Sequence, residues 1–378
     1  MAAESFAAII PAAGLSSRMG RLKALLSFGE VTALERVVGL FVSAGVSDVR
    51  VVAGHAADRL APVLRSLGVA SVPNPDYARG MFTSVVAGVR SLDPEVDAFF
   101  FLPVDIPLVR PATIRRLLDG WTEDRNEVLH PTLDGRRGHP PLIGGAHIPG
   151  IAAWKGEGGL GGYLRDQPAG EIPVADRFMN MDLDTPEDYR TALAEWVRYS
   201  VPNAAECKAL RNHVAHTPEP VQAHCLAVAE VAQTLGRAVA DAGGHLDLPL
   251  LAAAARLHDI CRGEPDHAES GADLLRRQGF SAVADLVVRH MDLESREGRP
   301  VNEAEVLFLA DKLLKGDRRV TLEDRFEATL ARFRDNPEAR SAALRRLDRA
   351  MAVKRRVESA VGRSLEDVLG REKRDSPQ

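Results

Sequence analysis

The chain has 378 residues, 45% of them apolar and 27% charged, which is the balance of a soluble globular protein and too much chain for one ordinary core, so two domains are expected. A formal net charge of −5 offers no basic surface to nucleic acid or to an anionic membrane, and neither is expected as a partner. An anionic substrate then has to be held by local features: backbone amides, a few Lys or Arg, and metal ions.

The N-terminus, Met1-Ala2-Ala3-Glu4-Ser5, lacks a basic n-region. The short apolar run at 6–11 leads into a glycine loop and reads as a first strand, not a secretory leader. Residues 33–44 have helical spacing, 49–53 are β-branched, and 98–102 form a second fully apolar run. This alternation predicts an α/β domain with a parallel sheet covered by helices on both faces. Asp182-Leu183-Asp184-Thr185-Pro186-Glu187-Asp188 predicts a strand end followed by a helix, with Thr185 as N-cap and Pro186 at the first helical position. From about 204 the texture turns to Ala, Leu and Arg. Helices are expected at 223–239, 248–257, 268–278, 282–290 and 303–314, then a charged amphipathic one at 337–361, with a frayed polar tail after Gly370. The expected division is 1–199, a linker Ser200-Val201-Pro202-Asn203, a helical domain 204–335, and a C-terminal helix and tail 336–378. No run is apolar for long enough to span a bilayer. Cys207, Cys225 and Cys261 are odd in number and widely spaced, so they read as reduced thiols in a cytoplasmic protein.

Two constellations carry chemistry. The first begins with Pro11-Ala12-Ala13-Gly14-Leu15-Ser16-Ser17-Arg18-Met19-Gly20, directly after the first strand. Small residues let the backbone approach an anion, and Arg18 and Lys23 add the charge that a triphosphate needs. The loop lacks both the Gly-Lys-Ser/Thr ending of a phosphate-binding P-loop and the glycine spacing of a dinucleotide fingerprint. Alone, such a loop is more often a tight turn than a site. Two acids shift the balance. Asp105, in Leu102-Pro103-Val104-Asp105-Ile106-Pro107, stands just past an apolar strand, and Asp182 or Asp184 offers a second carboxylate at another strand end. Two carboxylates on one Mg²⁺ that also bridges phosphates suit phosphoryl-type transfer.

These segments resemble the molybdenum-cofactor cytidylyltransferases, within the glycosyltransferase-A-like nucleotidyltransferases. The likeness runs in order through the Ala-Ala-Gly loop with Arg18-Met19-Gly20 and Lys23, Asn74-Pro75, Gly80-Met81 and Ser84, Asp105, Gly138-His139-Pro140, and the 182–188 stretch. It implies a three-layer, Rossmann-like α/β domain that moves CMP from CTP to a phosphorylated acceptor and releases pyrophosphate. It also implies that Ala12, Ala13, Gly14, Leu15, Ser16, Ser17, Arg18, Gly20 and Lys23 take the triphosphate, and that the base lies near Asn74, Gly80 and Ser84. Asp105 and Asp182 would hold Mg²⁺, and Gly138, His139 and Pro140 would face the acceptor. Molybdopterin is the leading acceptor, with a molybdoenzyme or its chaperone as a further partner. Ala13 resembles the cytidylyl branch, since the guanylyl branch tends to have Ala-Gly-Gly there. Where the family usually carries Gly-Asp-x-Gly-Ala-Arg, this chain reads Gly156-Glu157-Gly158-Gly159-Leu160-Gly161. The missing arginine opens the acceptor to other molecules, such as a sugar or alcohol phosphate.

The second constellation is Leu257-His258-Asp259-Ile260, accompanied by His224, His267, His290 and Asp311 on other expected helices. A lone His-Asp pair means little, but imidazoles and carboxylates gathered from several helices suit Zn, Fe, Mn or Mg. This half resembles the HD-domain phosphohydrolases over about 217–325, and within them the branch that hydrolyses dinucleoside polyphosphates. His267-Ala268-Glu269-Ser270-Gly271-Ala272, Val288-Arg289-His290 and Leu309-Ala310-Asp311-Lys312 carry that likeness. Six candidate ligands suggest two ions. Asp259 would bridge them, since a carboxylate has two oxygens, and His267 would serve the second ion. The expected substrate is a nucleotide or another phosphate ester, with Arg262 and Lys312 placed to neutralise its phosphates; the alternative is a regulatory, non-catalytic helical domain. His213, His216 and His245 read as solvated surface residues.

Overall fold

A computed structural model of the chain describes residues 4–15, 18–122, 126–291, 293 and 298–370. Ser16 and Ser17 of the glycine loop, and the tail 371–378, lie outside the described residues. The chain divides into two compact units, Met1–Tyr199 and Ser200–Gln378.

The first unit is built on an eight-stranded sheet. Its strands are β1 Phe6–Pro11, β2 Asp48–Ala53, β3 Ala70–Pro73, β4 Ala98–Phe101, β5 Val128–Leu133, β6 Arg136–Arg137, β7 Leu142–Gly144 and β8 Gly170–Pro173. They lie in the order β8-β5-β7-β4-β1-β2-β3, with β6 on β5. The sheet is mixed: β1 runs parallel to β2 and β4, whereas β7 is antiparallel to both β4 and β5. To the parallel sheet expected from the sequence the structure adds two short antiparallel strands, β6 on β5 and β7, which enters as a reversal after Pro140 and Pro141.

Strand β1 is buried on both faces, because helices cover both. Ala8 and Ile10, with Val51 and Phe100, pack beneath α1 (Ala33–Ser43), α2 (Ala57–Leu67) and α4 (Pro111–Asp119). Ala7 and Ile9, with Val52, Phe99 and Phe101, pack beneath α3 (Met81–Ser91), α5 (Ile148–Ala153) and α6 (Gly159–Arg165). A central strand in such a three-layer fold needs apolar side chains at every position, which is why 6–11 and 98–102 read as continuous apolar runs. Helix α7 (Pro186–Val197) closes the unit. Thr185 caps it, accepting from Asp188 N while Asp188 accepts from Thr185 N.

Among the described residues the second unit is helical apart from a small hairpin, Leu314–Lys315 with Arg318–Arg319. Asn203, the last residue of the expected linker, caps its first helix, α8 (Ala204–Ala209), through Glu206. The long α9 (Glu219–Asp241) packs against α10 (Leu248–Leu257), which in turn meets α12 (Ser281–Val287), itself paired with α11 (His267–Arg277). Helix α13 (Glu303–Lys312) lies against α9 and α10; α15 (Pro337–Val361), which follows α14 (Leu322–Arg332), packs on α9, α13 and α14. Two sequence expectations shift here. His258 and Asp259 lie at the C-terminal end of α10, outside its regular turns, and His290 lies three residues beyond α12. No helix among the described residues is long and apolar enough to cross a membrane.

Candidate active sites

In the first unit the chain moves from β1 outward through β2 and β3, then returns to β4 on the other side of β1. The loops leaving β1 and β4 therefore part to opposite sides, and the crevice between them is where open α/β sheets bind ligands. A cleft of about 390 Å³ lies there, walled by Pro11 to Leu15 on one side and Pro103 to Asp105 on the other. Backbone bonds set the two loops: Ala12 N donates to Val52 O at 2.9 Å, His55 N to Ala13 O at 3.2 Å, and Val104 N to Pro11 O at 3.2 Å. Nothing lies within 4 Å of a Cβ placed on Gly14, so the loop backbone is open at that point. Ala13 is 3% exposed, and a Cβ added at Gly54 would stand 2.9 Å from its methyl and 2.7 Å from the Tyr77 Cβ. Glycine at 54 is what lets the loop and the Tyr77 segment close on each other.

At the cleft floor, Lys23 Nζ donates to Asp105 Oδ2 at 2.9 Å and to Asp184 Oδ1 at 2.6 Å. Arg18 Nη1 stands 3.7 Å from Asp184 Oδ2 with its side chain 78% exposed. Burial lowers the Lys23 pKa, but the hydrogen bonds and charges of Asp184 and Asp105 outweigh it and hold the pKa above its ordinary value. The acid that joins Asp105 is thus Asp184, and the sequence reading of Asp182 is corrected: Asp182 is exposed and outside the cleft lining. Leu183 decides this. Its side chain is fully buried among Met19, Phe28 and Leu108, and its amide donates to Asp105 O at 2.9 Å.

Gly80 and Ser84 line the same cleft, together with Tyr77 and Met81. Asn74 does not. It is 4% exposed, its amide donates to Thr83 and Ser84 hydroxyls at 2.9 Å each, and its carbonyl oxygen accepts from Asp76 N. Asn74 braces the start of α3 from behind, and its donors are spent within the protein.

A second cavity of about 740 Å³ shares Gly80, Met81 and Pro103 with the first. Gly138 and His139, which the family resemblance turns toward an acceptor, line it, and so do Gly158 to Gly161. Pro140 follows a cis peptide bond and is buried behind them. Sequence reasoning missed His130, Arg79, Arg137 and Arg165 in this wall; only the basic character of Arg136-Arg137 offered a signal. Burial, with the charges of Arg137 and His139 beside it, pushes His130 down to about 4, and burial lowers His139 as well. Both imidazoles are neutral near pH 7, which leaves the arginines as the cavity's cations.

The second unit brings together all six side chains expected of it. His224 comes from α9, His258 and Asp259 from the end of α10, His267 from the first turn of α11, His290 from beyond α12, and Asp311 from the last turn of α13. Asp259 stands at the centre. Its Oδ2 is 3.6 Å from His224 Nε2 and 3.5 Å from His258 Nε2. Its Oδ1 is 3.2 Å from His267 Nε2 and 3.6 Å from His290 Nε2. Asp311 Oδ1 is 3.1 Å from His224 Nε2 and 3.7 Å from His258 Nε2. These form two groups able to hold an ion, His224–His258–Asp259 and Asp259–His267–His290, sharing one carboxylate.

Hydrogen bonds on the far side of each ring fix the donor atoms. His224 Nδ1 meets Gly316 O at 2.7 Å, His258 Nδ1 meets Ala255 O at 2.9 Å, and His290 Nδ1 meets Val287 O at 2.7 Å. A carbonyl only accepts, so each Nδ1 carries a proton and each Nε2 is turned inward. His258 Nε2, His267 Nε2 and Asp259 Oδ1 are buried without hydrogen-bond partners. Imidazole nitrogens and carboxylate oxygens gathered in a buried space cost free energy unless a proton or a metal cation lies between them. The six side chains therefore fit a divalent metal centre. Burial would raise the Asp259 carboxyl, but His290, His258 and Arg262 outweigh it and hold it well below the usual range. Burial opposes ionisation of Asp311 too, and Lys312 with His224 and His258 overcomes it. Arg262 contacts Asp259 Oδ2 and remains half exposed, whereas Lys312 is buried on Asp311. His213, His216 and His245 are exposed.

Residues 8–171 match the family model described as a MobA-like NTP transferase domain, and residues 221–316 match that of the HD domain. The chain therefore carries a MobA-like NTP transferase domain and an HD domain. Its transferase domain is 29% identical over 191 residues to the molybdenum cofactor cytidylyltransferase of Escherichia coli, covering 49% of this chain and 93% of that protein. It is 31% identical over 134 residues to an uncharacterized protein of Methanocaldococcus jannaschii, covering 30% of this chain and 79% of that one. It is 29% identical over 195 residues to a probable molybdenum cofactor guanylyltransferase of Synechococcus elongatus, covering 49% of this chain and 97% of that protein. The transferase domain makes the chain an enzyme of nucleotidyl transfer, and the HD domain brings a divalent-metal centre to it.

Proposed function

We propose that residues 1–199 move CMP from CTP to a phosphorylated small-molecule acceptor, with molybdopterin the leading candidate. A phosphate oxygen of the acceptor attacks the α-phosphorus of CTP, the bond from that phosphorus to the bridging oxygen breaks, and pyrophosphate leaves. One observation carries this reading: the cleft that holds Lys23, Asp105 and Asp184 shares a wall with the cavity that holds His139 and Arg165, so donor and acceptor seated in the two spaces meet beside Asp105. The loop amides take the triphosphate, and Lys23 and Arg18 hold the pyrophosphate as its charge grows. Asp105 and Asp184 would hold Mg²⁺, which when bound neutralises phosphate charge. CTP over GTP is proposed from Ala13, whose methyl sets how the loop lies against Gly54 and Tyr77. A sugar or alcohol phosphate is the second acceptor class. It is favoured by the stretch 156–161, which lacks an arginine and adds Leu160 to a wall already apolar at Phe82 and Phe101. The test is pyrophosphate release from each nucleoside triphosphate against molybdopterin and a set of small phosphate esters. No release from CTP with any acceptor removes the reading.

For residues 200–378 we infer a phosphohydrolase acting on a nucleotide or phosphate ester. His224, His258 and Asp311 with Asp259 Oδ2 would hold one divalent ion, and His267 and His290 with Asp259 Oδ1 a second. Fe, Mn, Zn and Mg all suit nitrogen and oxygen donors. Such ions supply charge neutralisation at a phosphate, and Arg262 reaches from Asp259 to the exposed edge where a phosphate would enter. The unpartnered buried donor atoms support a metal enzyme over a purely regulatory helical domain. Metal analysis, with hydrolysis of a nucleotide panel that includes dinucleoside polyphosphates, tests this half.

A further inference from the structure

We propose that Lys23 is an exchangeable cation: its ammonium holds the space between Asp105 and Asp184 until a magnesium–nucleotide complex arrives, and then transfers to the phosphates. This rests on the reading above that these two acids hold the ion.

Lys23 Nζ contacts one oxygen of each carboxylate, at 2.9 Å and 2.6 Å. It therefore occupies the position from which a single cation bridges the two acids. All three residues line the cleft, with side-chain exposures of 17% for Lys23 and Asp105 and 46% for Asp184, so the group faces the ligand space and is not a core ion pair. A divalent ion reaching the same oxygens meets a positive charge at contact distance, and in a half-buried site that repulsion is only partly screened. The ion can displace the ammonium cheaply only when an anion within reach receives it. The triphosphate is such an anion, in the same cleft. The main chain of Lys23 is tied down, since Leu26 N donates to its carbonyl at 3.1 Å and its neighbour Ala24 is 4% exposed. The movement belongs to the four-carbon stem, which suits lysine and not the rigid fork of arginine. The consequence is an order of binding: metal and nucleotide enter together, and the nucleotide-free transferase site disfavours bare divalent ions.

The experiment measures Mn²⁺ binding to the full chain by equilibrium dialysis, with and without CTP, in the wild type, in Lys23→Met, and in the double variant Asp105→Asn, Asp184→Asn. Ions held by the HD domain are common to all three, so the transferase ion is the difference from the double variant. Without CTP, Lys23→Met should hold that difference ion about tenfold or more tightly than the wild type. With CTP the advantage should vanish, because the wild-type lysine then sits on the phosphates. Equal affinity of wild type and Lys23→Met without CTP overturns the exchange, while loss of an ion in the double variant would still support the two acids as ligands. If the double variant loses no ion even with CTP, the assignment of the acids fails and the exchange fails with it.

Discussion

Asp182 and Asp184 flank one buried leucine, and the two acids have different neighbours. Asp184 meets Lys23 at 2.6 Å, and Asp182 is exposed. Asp184→Asn should therefore lower pyrophosphate release about a hundredfold or more, as removal of a charge-stabilising group at a reacting centre does, whereas Asp182→Asn should stay within about twofold, like an ordinary surface change. Equal losses in the two variants would contradict the geometry. The sequence could not make this distinction. It shows two acids two residues apart at a strand end, and the choice is made by Leu183, whose burial and amide bond to Asp105 O are long-range facts. Asp105 was legible because a carboxylate directly after an apolar strand has no packing role. Asn74 was legible as important, but its part in bracing α3 was hidden. His130 gives a pH test. Its pKa falls from 6.5 to about 4 in the folded chain, mainly through burial. Between those values the unfolded chain binds the extra proton, so His130 removes stability as pH falls from 6.5 to about 4 and contributes nothing above. Denaturation midpoints of His130→Gln should fall less steeply than the wild type across that window; parallel curves would show that the imidazole titrates normally.

Helix ends carry the chemistry of the second unit, and so they are where its elements can be tested. His258 and Asp259 follow the last turn of α10, Asp311 ends α13, His290 follows α12, and His267 begins α11. The carbonyl end of a helix favours cations, so three helix C-termini reinforce the four imidazoles and two carboxylates. Asp259 alone touches both groups of ligands, through different oxygens. Asp259→Ala should lose both ions by metal analysis, and His267→Ala about one equivalent. Unchanged metal content in His267→Ala would mean a single-ion centre. These six side chains were legible as one group because His-Asp and the three later motifs keep their order in sequence; the Gly316 carbonyl that orients His224 was not, since a backbone acceptor leaves no residue signature. The sheet followed the same logic. Strands buried on both faces, such as β1 and β4, show as apolar runs, whereas the largely exposed edge strand β3 and the three-residue β7 carry no pattern of their own. At the other acidic segment the cap is the element to test. Thr185→Ala removes the hydroxyl that accepts from Asp188 N. It should cost about 1 kcal/mol of stability and lower transferase activity with it, because Asp184 is the neighbouring residue.

At the scale of the whole molecule the two units should fold apart, and the place of the cut matters. Tyr199 belongs to the first unit. Its ring stacks on Phe178 with centroids 5.5 Å apart, and its carbonyl accepts from Arg110 Nη2 at 2.7 Å. Arg110 is 0% exposed, so a chain ending at 197 would strip a buried guanidinium of that acceptor and of the Tyr199 ring 4.3 Å away. A chain of residues 1–199 should melt cooperatively, while 1–197 should be less stable by about 1–3 kcal/mol, from loss of the hydrogen bond that the Arg110 guanidinium makes to the Tyr199 carbonyl. The matching piece begins at Ser200, which retains Asn203 as the cap of α8. Ligands should then sort between the pieces. A species that binds only the folded state raises stability by about 2.7 kcal/mol at a hundred times its dissociation constant. Mn²⁺ without nucleotide should raise the melting temperature of 200–378 and leave 1–199 nearly unmoved, because Lys23 already satisfies Asp105 and Asp184. CTP with Mg²⁺ should do the reverse. Stabilisation of 1–199 by Mn²⁺ alone, equal to that by CTP with Mg²⁺, would break this pattern and place the metal ahead of the nucleotide.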